Sequence, residues 1–176
     1  IMSRVLIVYS TTDGQTTKIC NHIQAAIQQS GDTVIQKPID KVIQEDLFNA
    51  DKIVIGASIR YGKHSKLVYS FIEQYHEILA AKNNAFFSVS LVARKPEKRS
   101  AQTNPYVKKF LKQIKWQPQE VAVFAGRINY PLYGFLDRHI IRLIMLITKG
   151  PTDFQSNIEF TDWNQVNGFT DKIISM

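Results

Sequence analysis

Short apolar runs rich in β-branched and aromatic residues alternate along this chain with segments of helical period. No other feature constrains the fold as strongly. RVLIVY at 4–9, a short run at 33–36, KIVIGA at 52–57, AFFSVSLV at 85–92 and VAVFA at 121–125 have the length and content of buried strands. Between them the apolar spacing changes. Ile19, Ile23, Ala26 and Ile27 share one helical face, as do Leu67, Phe71, Tyr75 and Ile78 within 66–80. Asn104 followed by Pro105 opens a third helix carrying Val107, Phe110, Leu111 and Ile114. Asp162 with Gln165 is a capping-box signature for a last helix through Val166, Phe169 and Ile173. Strands that alternate with helices predict a parallel sheet covered on both faces. The expectation is an α/β chain forming one domain over 1–176, a doubly wound five-stranded parallel sheet. A long insertion at about 126–157 interrupts the last strand, which resumes at Asn157–Phe160.

Composition narrows the setting. Cys20 is the lone cysteine, which excludes a disulfide scaffold and fits a reducing, cytoplasmic-side location. No signal peptide is expected; Met2 reads as the natural start and Ile1 as an addition. No apolar stretch reaches the roughly 18–20 residues of a spanning helix. His22, His64, His76 and His139 show no metal-ligand spacing, so no metal is expected. The net charge is +7, and eight bases against one acid between 94 and 115 account for all of it. Such a patch favours an anionic partner. No nucleic-acid-binding signature accompanies it, so no nucleic acid is expected.

In a doubly wound sheet, ligands bind beyond the carboxyl ends of the strands. The loops that matter are then 10–16, 58–65, 88–102 and the insertion. Ser10, Thr11, Thr12, Asp13, Gly14, Gln15 and Thr16 join the first strand to the first helix. The loop is rich in hydroxyls, Gly14 permits a tight turn, and the helix N-terminus favours an anion. It has neither the lysine of a nucleoside-triphosphate loop nor the glycines of a dinucleotide fingerprint. Neutral donors of this kind suit a phosphate monoester such as that of FMN; an ordinary polar turn is the equal alternative.

YSTTDGQT (9–16), VIGASIRYG (54–62), SLVARKPEKR (90–99), QTNPY (102–106) and FTDW (160–163) together span nearly the whole chain. On these stretches the sequence resembles the flavodoxin-like, FMN-containing, quinone-dependent protoporphyrinogen oxidases of bacteria. ASIRYG and LVARKPEKR are specific to that resemblance. Thr12 departs from it, standing where some relatives carry a base. The resemblance implies a flavodoxin-like fold and oxidation of protoporphyrinogen IX to protoporphyrin IX in heme biosynthesis. It implies electron transfer through FMN to menaquinone or ubiquinone. It also implies a peripheral location on the cytoplasmic face of the bacterial inner membrane. An NAD(P)H:quinone reductase and a flavodoxin-like electron carrier are the alternatives. NADPH bleaching without porphyrinogen marks the first, and absence of porphyrinogen turnover marks the second.

On this reading Ser58, Arg60, Tyr61 and Gly62 surround a flavin ring, with Tyr61 over one face. Ser88 and Ser90 meet its pyrimidine edge. Arg94, Lys95 and Arg99 are the expected partners of the substrate propionates, because Arg–carboxylate bonds are strong and oriented. The alternative is a solvated basic turn. Tyr130 and Tyr133 line a substrate pocket or pack at the surface. In the insertion, Arg138, Arg142 and Lys149 fall on one side of an apolar helix, with Met145 between them. That helix either lies in the interface of an anionic membrane or covers a core. Ile144→Asp is the substitution chosen to separate these.

Overall fold

The computed structural model describes residues 2–176; Ile1, the first residue of the expected domain, lies outside them. The elements run in the order β1 (Arg4–Ser10), α1 (Gln15–Gln29), β2 (Thr33–Pro38), α2 (Gln44–Asn49), β3 (Lys52–Arg60), β4 (Lys63–His64) and α3 (Lys66–Ala81). They continue as β5 (Asn83–Ser90), α4 (Pro105–Gln113), β6 (Glu120–Ala125), β7 (Arg127–Asn129), α5 (Phe135–Thr148), β8 (Asn157–Glu159) and α6 (Trp163–Ser175). The main sheet has the order β2-β1-β3-β5-β6, and every neighbouring pair along it is parallel. This is the expected flavodoxin-like five-stranded sheet.

Alternate residues of each strand feed two cores, as the two-residue period of a strand requires. Leu6, Val8, Ile53, Ile55 and Phe86 face α2, α3 and α4. Val5, Ile7, Val54, Phe87 and Phe124 face α1 and α6. Cys20 is buried in the second core, where desolvation drives its thiol far above the ordinary range. It is a packing residue.

Four local expectations change. The α3 face is rotated by about one residue: Leu67 is exposed, while Val68, Phe71, Ile72 and Leu79 are buried. Helix α2 is additional; Asp46 in its first turn accepts a hydrogen bond from Ile43 N at 3.0 Å. The α6 capping box is half formed. Asp162 accepts from Asn164 N and Gln165 N, but Gln165 Nε2 donates to Val123 O instead of returning to the cap. Finally, the insertion follows β6 without splitting it. The returning segment β8 does not rejoin the main sheet but pairs antiparallel with β7, Arg127 opposite Glu159. The two make a ribbon that carries α5. Ile128, Tyr130, Tyr133, Ile141 and Met145 form a small core of their own beneath that helix.

Candidate active site

The carboxyl ends of β1, β3, β5 and β6 open into a cleft of about 590 Å³. That volume lies within the range of small-molecule and cofactor sites. Its walls come from the β1–α1 loop, the β3–β4 turn, the end of β5 with the turn after it, and the inner face of α5.

The β1–α1 loop is shaped by Gly14, whose φ of +90° suits a residue without Cβ. Gly14 also occupies the cap position of α1, and no side chain caps that helix. The free N–H groups of its first turn are therefore open to an anion. Gly14 N donates to Thr11 Oγ1 at 3.0 Å, and Thr12 Oγ1 lies 3.1 Å from Ser58 Oγ. Thr16 is 1% exposed, and its Oγ1 has no hydrogen-bond partner. Gln15 Nε2 reaches the ribbon, donating to Glu159 Oε1 at 3.2 Å and Thr161 Oγ1 at 3.0 Å.

The β3–β4 register pairs Arg60 with Lys63, which leaves Tyr61 and Gly62 as a two-residue turn. Both have positive φ, +54° and +78°, the requirement of a type I′ hairpin. Gly62 meets it freely. Tyr61 pays backbone strain there, a feature that clusters at functional sites. Its hydroxyl donates to Asp137 of α5, and the ring stands half-exposed beside the cleft. Arg60 is bonded to Asp13 and lies 3.4 Å from Asp137. Burial opposes the Arg60 charge, but the hydrogen bond to Asp13 and the two carboxylate charges outweigh it and hold its pKa above the ordinary value. Burial, then the hydrogen bond to Asp137, raises the pKa of Tyr61. Asp13, Arg60, Tyr61 and Asp137 thus clasp three separate segments together.

At the end of β5, Ser90 lines the cleft; it is buried, and its Oγ has no partner. Ser88 does not reach the cleft. It is fully buried, 2.8 Å from His64 Nε2, and burial pushes His64 down to about 4, so the ring is neutral at pH 7. Arg94 lines the cleft, yet its donors go to Leu91 O, Thr148 O and Thr148 Oγ1 at 2.9–3.1 Å. Burial lowers its pKa. Arg99 binds Ala93 O and Arg94 O at 2.8 and 3.0 Å, and neither it nor Lys95 is in the cleft wall. Tyr130 is buried beneath α5, with its hydroxyl on Pro151 O at 2.6 Å. The basic turn is therefore held inward by its arginines instead of presenting them as a substrate-binding row.

The insertion supplies Tyr133, expected to line a pocket, and with it an apolar wall that the sequence left unassigned. Ile140, Ile141, Ile144 and Met145 form an apolar wall, and Tyr106, Arg127 and Tyr133 complete the lining. The opposite side of α5 is apolar as well: Phe135 is 79% and Ile147 74% exposed, with Leu136, Leu143 and Leu146 beside them. Arg138 and Arg142 lie over the Phe154 ring, at 5.6 and 4.6 Å. They flank this outer face without forming its centre.

Of the expected cofactor residues, Thr11, Thr12, Asp13, Gln15, Thr16, Ser58, Arg60, Tyr61, Gly62 and Ser90 converge on the cleft. Ser10 and Gly14 carry the loop's backbone without lining it. The fit to FMN is chemical: an uncapped helix start with hydroxyls for a phosphate, and two buried hydroxyls, Thr16 and Ser90, still needing partners. No cluster of His, Cys, Asp or Glu suited to a metal ion occurs among the described residues.

Comparison with known proteins agrees with this architecture. The flavodoxin domain family matches residues 6–155. The chain is 40% identical to the protoporphyrinogen IX dehydrogenase [quinone] of Escherichia coli K12, covering 97% of this chain and 94% of that protein. It is 43% identical to the Leishmania major protein of the same name, covering 94% of this chain and 72% of that one. Among solved structures, flavodoxin 2 of Bacillus cereus superposes with a TM-score of 0.52 at 19% identity, over 70% of this chain and 84% of its own. The rubredoxin oxygen:oxidoreductase of Desulfovibrio gigas gives 0.57 at 12% identity; 98% of this chain aligns with 35% of that larger one. These two likenesses concern the fold.

Proposed function

Since this chain belongs to the flavodoxin domain family and, within it, to the quinone-dependent protoporphyrinogen IX dehydrogenases, we propose that it oxidises protoporphyrinogen IX to protoporphyrin IX in heme biosynthesis. It is an FMN-dependent oxidoreductase whose electron acceptor is a quinone, menaquinone or ubiquinone. The whole of 1–176 acts as one unit, because the insertion and the β1–α1 loop share one cleft.

When bound, FMN would supply the redox centre that takes electrons from the porphyrinogen and passes them to the quinone. The chain's own residues bind, orient and shield. The α1 N-terminus and the hydroxyls of Thr11, Thr12 and Thr16 hold the phosphate through neutral donors. Ser58, Arg60, Tyr61 and Gly62 bound one side of the ring site, and Ser90 offers a hydroxyl at its polar edge. Arg60, held charged between Asp13 and Asp137, braces the turn beside the ring site, its charge matched by those two carboxylates. The α5 wall of Ile140, Ile141, Ile144 and Met145 receives an apolar macrocycle or quinone and excludes water.

No helix among the described residues is long and apolar enough to cross a membrane. The outer face of α5 is apolar, and Lys108, Lys109 and Lys112 are exposed on α4, whose Tyr106 lines the same cleft. Apolar insertion together with basic charge is the two-signal pattern of interfacial binding. This supports a peripheral site on an anionic membrane surface, the cytoplasmic face of the bacterial inner membrane, where a lipid-dissolved quinone reaches the cleft.

The observation that carries the reading is the convergence of the β1–α1 loop, the strained Tyr61 turn and the α5 wall on one cleft with two unpartnered hydroxyls. Reconstitution with FMN should give a bound-flavin visible spectrum. Anaerobic addition of protoporphyrinogen IX should bleach it, and a soluble quinone should restore it with release of porphyrin. Bleaching by NADPH alone would make the protein a quinone reductase. A flavin-loaded protein without porphyrinogen turnover would make it a carrier.

A further inference from the structure

Three arginines line the cleft, and the structure accounts for the donors of two. Arg60 is paired with Asp13 and Asp137. Arg94 directs its terminal nitrogens at Leu91 and Thr148. Arg127 is different. It stands on β7, just beyond the end of the main sheet, and its Nε donates to Asn157 Oδ1 at 2.8 Å. Its cross-strand neighbour is Glu159, but that carboxylate is bonded to Lys18 Nζ at 2.8 Å and Gln15 Nε2 at 3.2 Å. Among the described residues Arg127 joins no ion pair, and its terminal nitrogens make no hydrogen bond.

The geometry points to Arg127 as the group that takes a carboxylate of the substrate. Arg127 is a partly exposed residue of the cleft wall whose guanidinium has no counter-charge, so it is free to pair with an acidic ligand that enters the cleft. The bond to Asn157 fixes one edge of the planar group, leaving two terminal nitrogens as a fork, the geometry that binds carboxylate bidentately. The cleft also presents an apolar wall from α5, so it matches a ligand with an apolar body and an acidic arm. The inference rests on the porphyrinogen reading and deepens it: the propionate partner moves from the 94–99 turn to the insertion ribbon. A phosphate shares this oxyanion chemistry, but the β1–α1 loop already has its own donors for one.

The test uses the FMN-loaded protein, Arg127→Gln and Arg127→Lys. Three quantities are read: KM and kcat for protoporphyrinogen IX and for its dimethyl ester, affinity for FMN and riboflavin, and equilibrium binding of mesoporphyrin IX and its dimethyl ester. Arg127→Gln should raise KM for the diacid about ten-fold or more, the scale of one lost charge-assisted hydrogen bond. The ester's KM, kcat and FMN affinity should hold, and Arg127→Lys should recover part of the loss. An unchanged diacid KM, or an equal rise for diacid and ester, overturns the assignment. A loss of FMN affinity without loss of riboflavin affinity assigns Arg127 to the phosphate and overturns it too. A wild type that turns over no porphyrinogen refutes the proposed function alone; the diacid-versus-ester preference in mesoporphyrin binding then still decides the role of Arg127.

Discussion

Thr16 carries the sharpest single-residue consequence. Its hydroxyl is buried in the cleft wall with no partner, and an unsatisfied buried group of this kind costs about 1–3 kcal/mol. Valine has the same shape without that hydroxyl. Thr16→Val should therefore leave the ligand-free protein as stable as before, or more stable, while weakening FMN by about 1 kcal/mol or more. Thermal melting without ligand and a fluorescence titration with FMN read the two effects separately. A threonine that merely packs would move both in the same direction, and that result would remove residues 10–16 from the phosphate site. The opposite signs are expected because the group meets its partner only when the ligand is present. Gly14 works differently: its φ of +90° shapes the loop, so a side chain there strains the backbone whether or not a ligand is bound.

At the scale of elements, the turn between β5 and α4 is a strut. Arg99 ties Ala93 O to Arg94 O, and Arg94 ties the same turn to Thr148 at the end of α5. Arg99→Ala should lower stability by about 1–3 kcal/mol, because it strands two half-buried carbonyls. The porphyrinogen KM should not move. Denaturant melts and steady-state kinetics check this, and a raised KM at unchanged stability would return Arg99 to the substrate. Why the sequence read as a substrate-binding row here is physical. A charge run shows sign and spacing, but not whether its donors meet solvent, ligand or carbonyls. The β1–α1 loop was legible because its hydroxyls, glycine and helix start are all local. Ser88 and Ser90 share a strand face, but only Ser90 is at the strand end; Ser88, two residues lower, meets His64. The Asp137–Tyr61 bond and the Arg127–Asn157 bond join residues far apart in the chain, so no local pattern announced them. The strand alternation, in contrast, was enough for the sheet, since each strand carries its own burial pattern. The insertion's periodicity showed a helix but not which face turns inward.

That last ambiguity decides how membrane attachment of the whole molecule has to be tested. Ile144 lies on the inner face of α5, lining the cleft and packing on the small core beneath it. Ile144→Asp would damage the site and the lobe together and say nothing about lipid. The outer positions are Leu143 and Ile147, 57% and 74% exposed. An Asp there meets water in the free protein, so folding should be almost unchanged. In an interfacial helix the same Asp must be driven among acyl chains, which is costly. The basic charge contributes separately: about 1 kcal/mol for each Lys or Arg near an anionic surface, screened by salt. Since residues 94–115 carry the whole excess of charge, Lys108→Glu with Lys112→Glu should weaken binding to anionic vesicles most at low salt. Leu143→Asp with Ile147→Asp should weaken it at every salt concentration. Both double variants should keep the wild-type melting temperature, FMN affinity and turnover with a soluble quinone, and lose turnover with a quinone dissolved in vesicles. Flotation of the proteins with vesicles of phosphatidylglycerol or of phosphatidylcholine alone, across a salt series, gives the answer. Equal recovery with both lipids at low salt removes the electrostatic part. Undiminished flotation of Leu143→Asp with Ile147→Asp turns the outer face of α5 away from the bilayer.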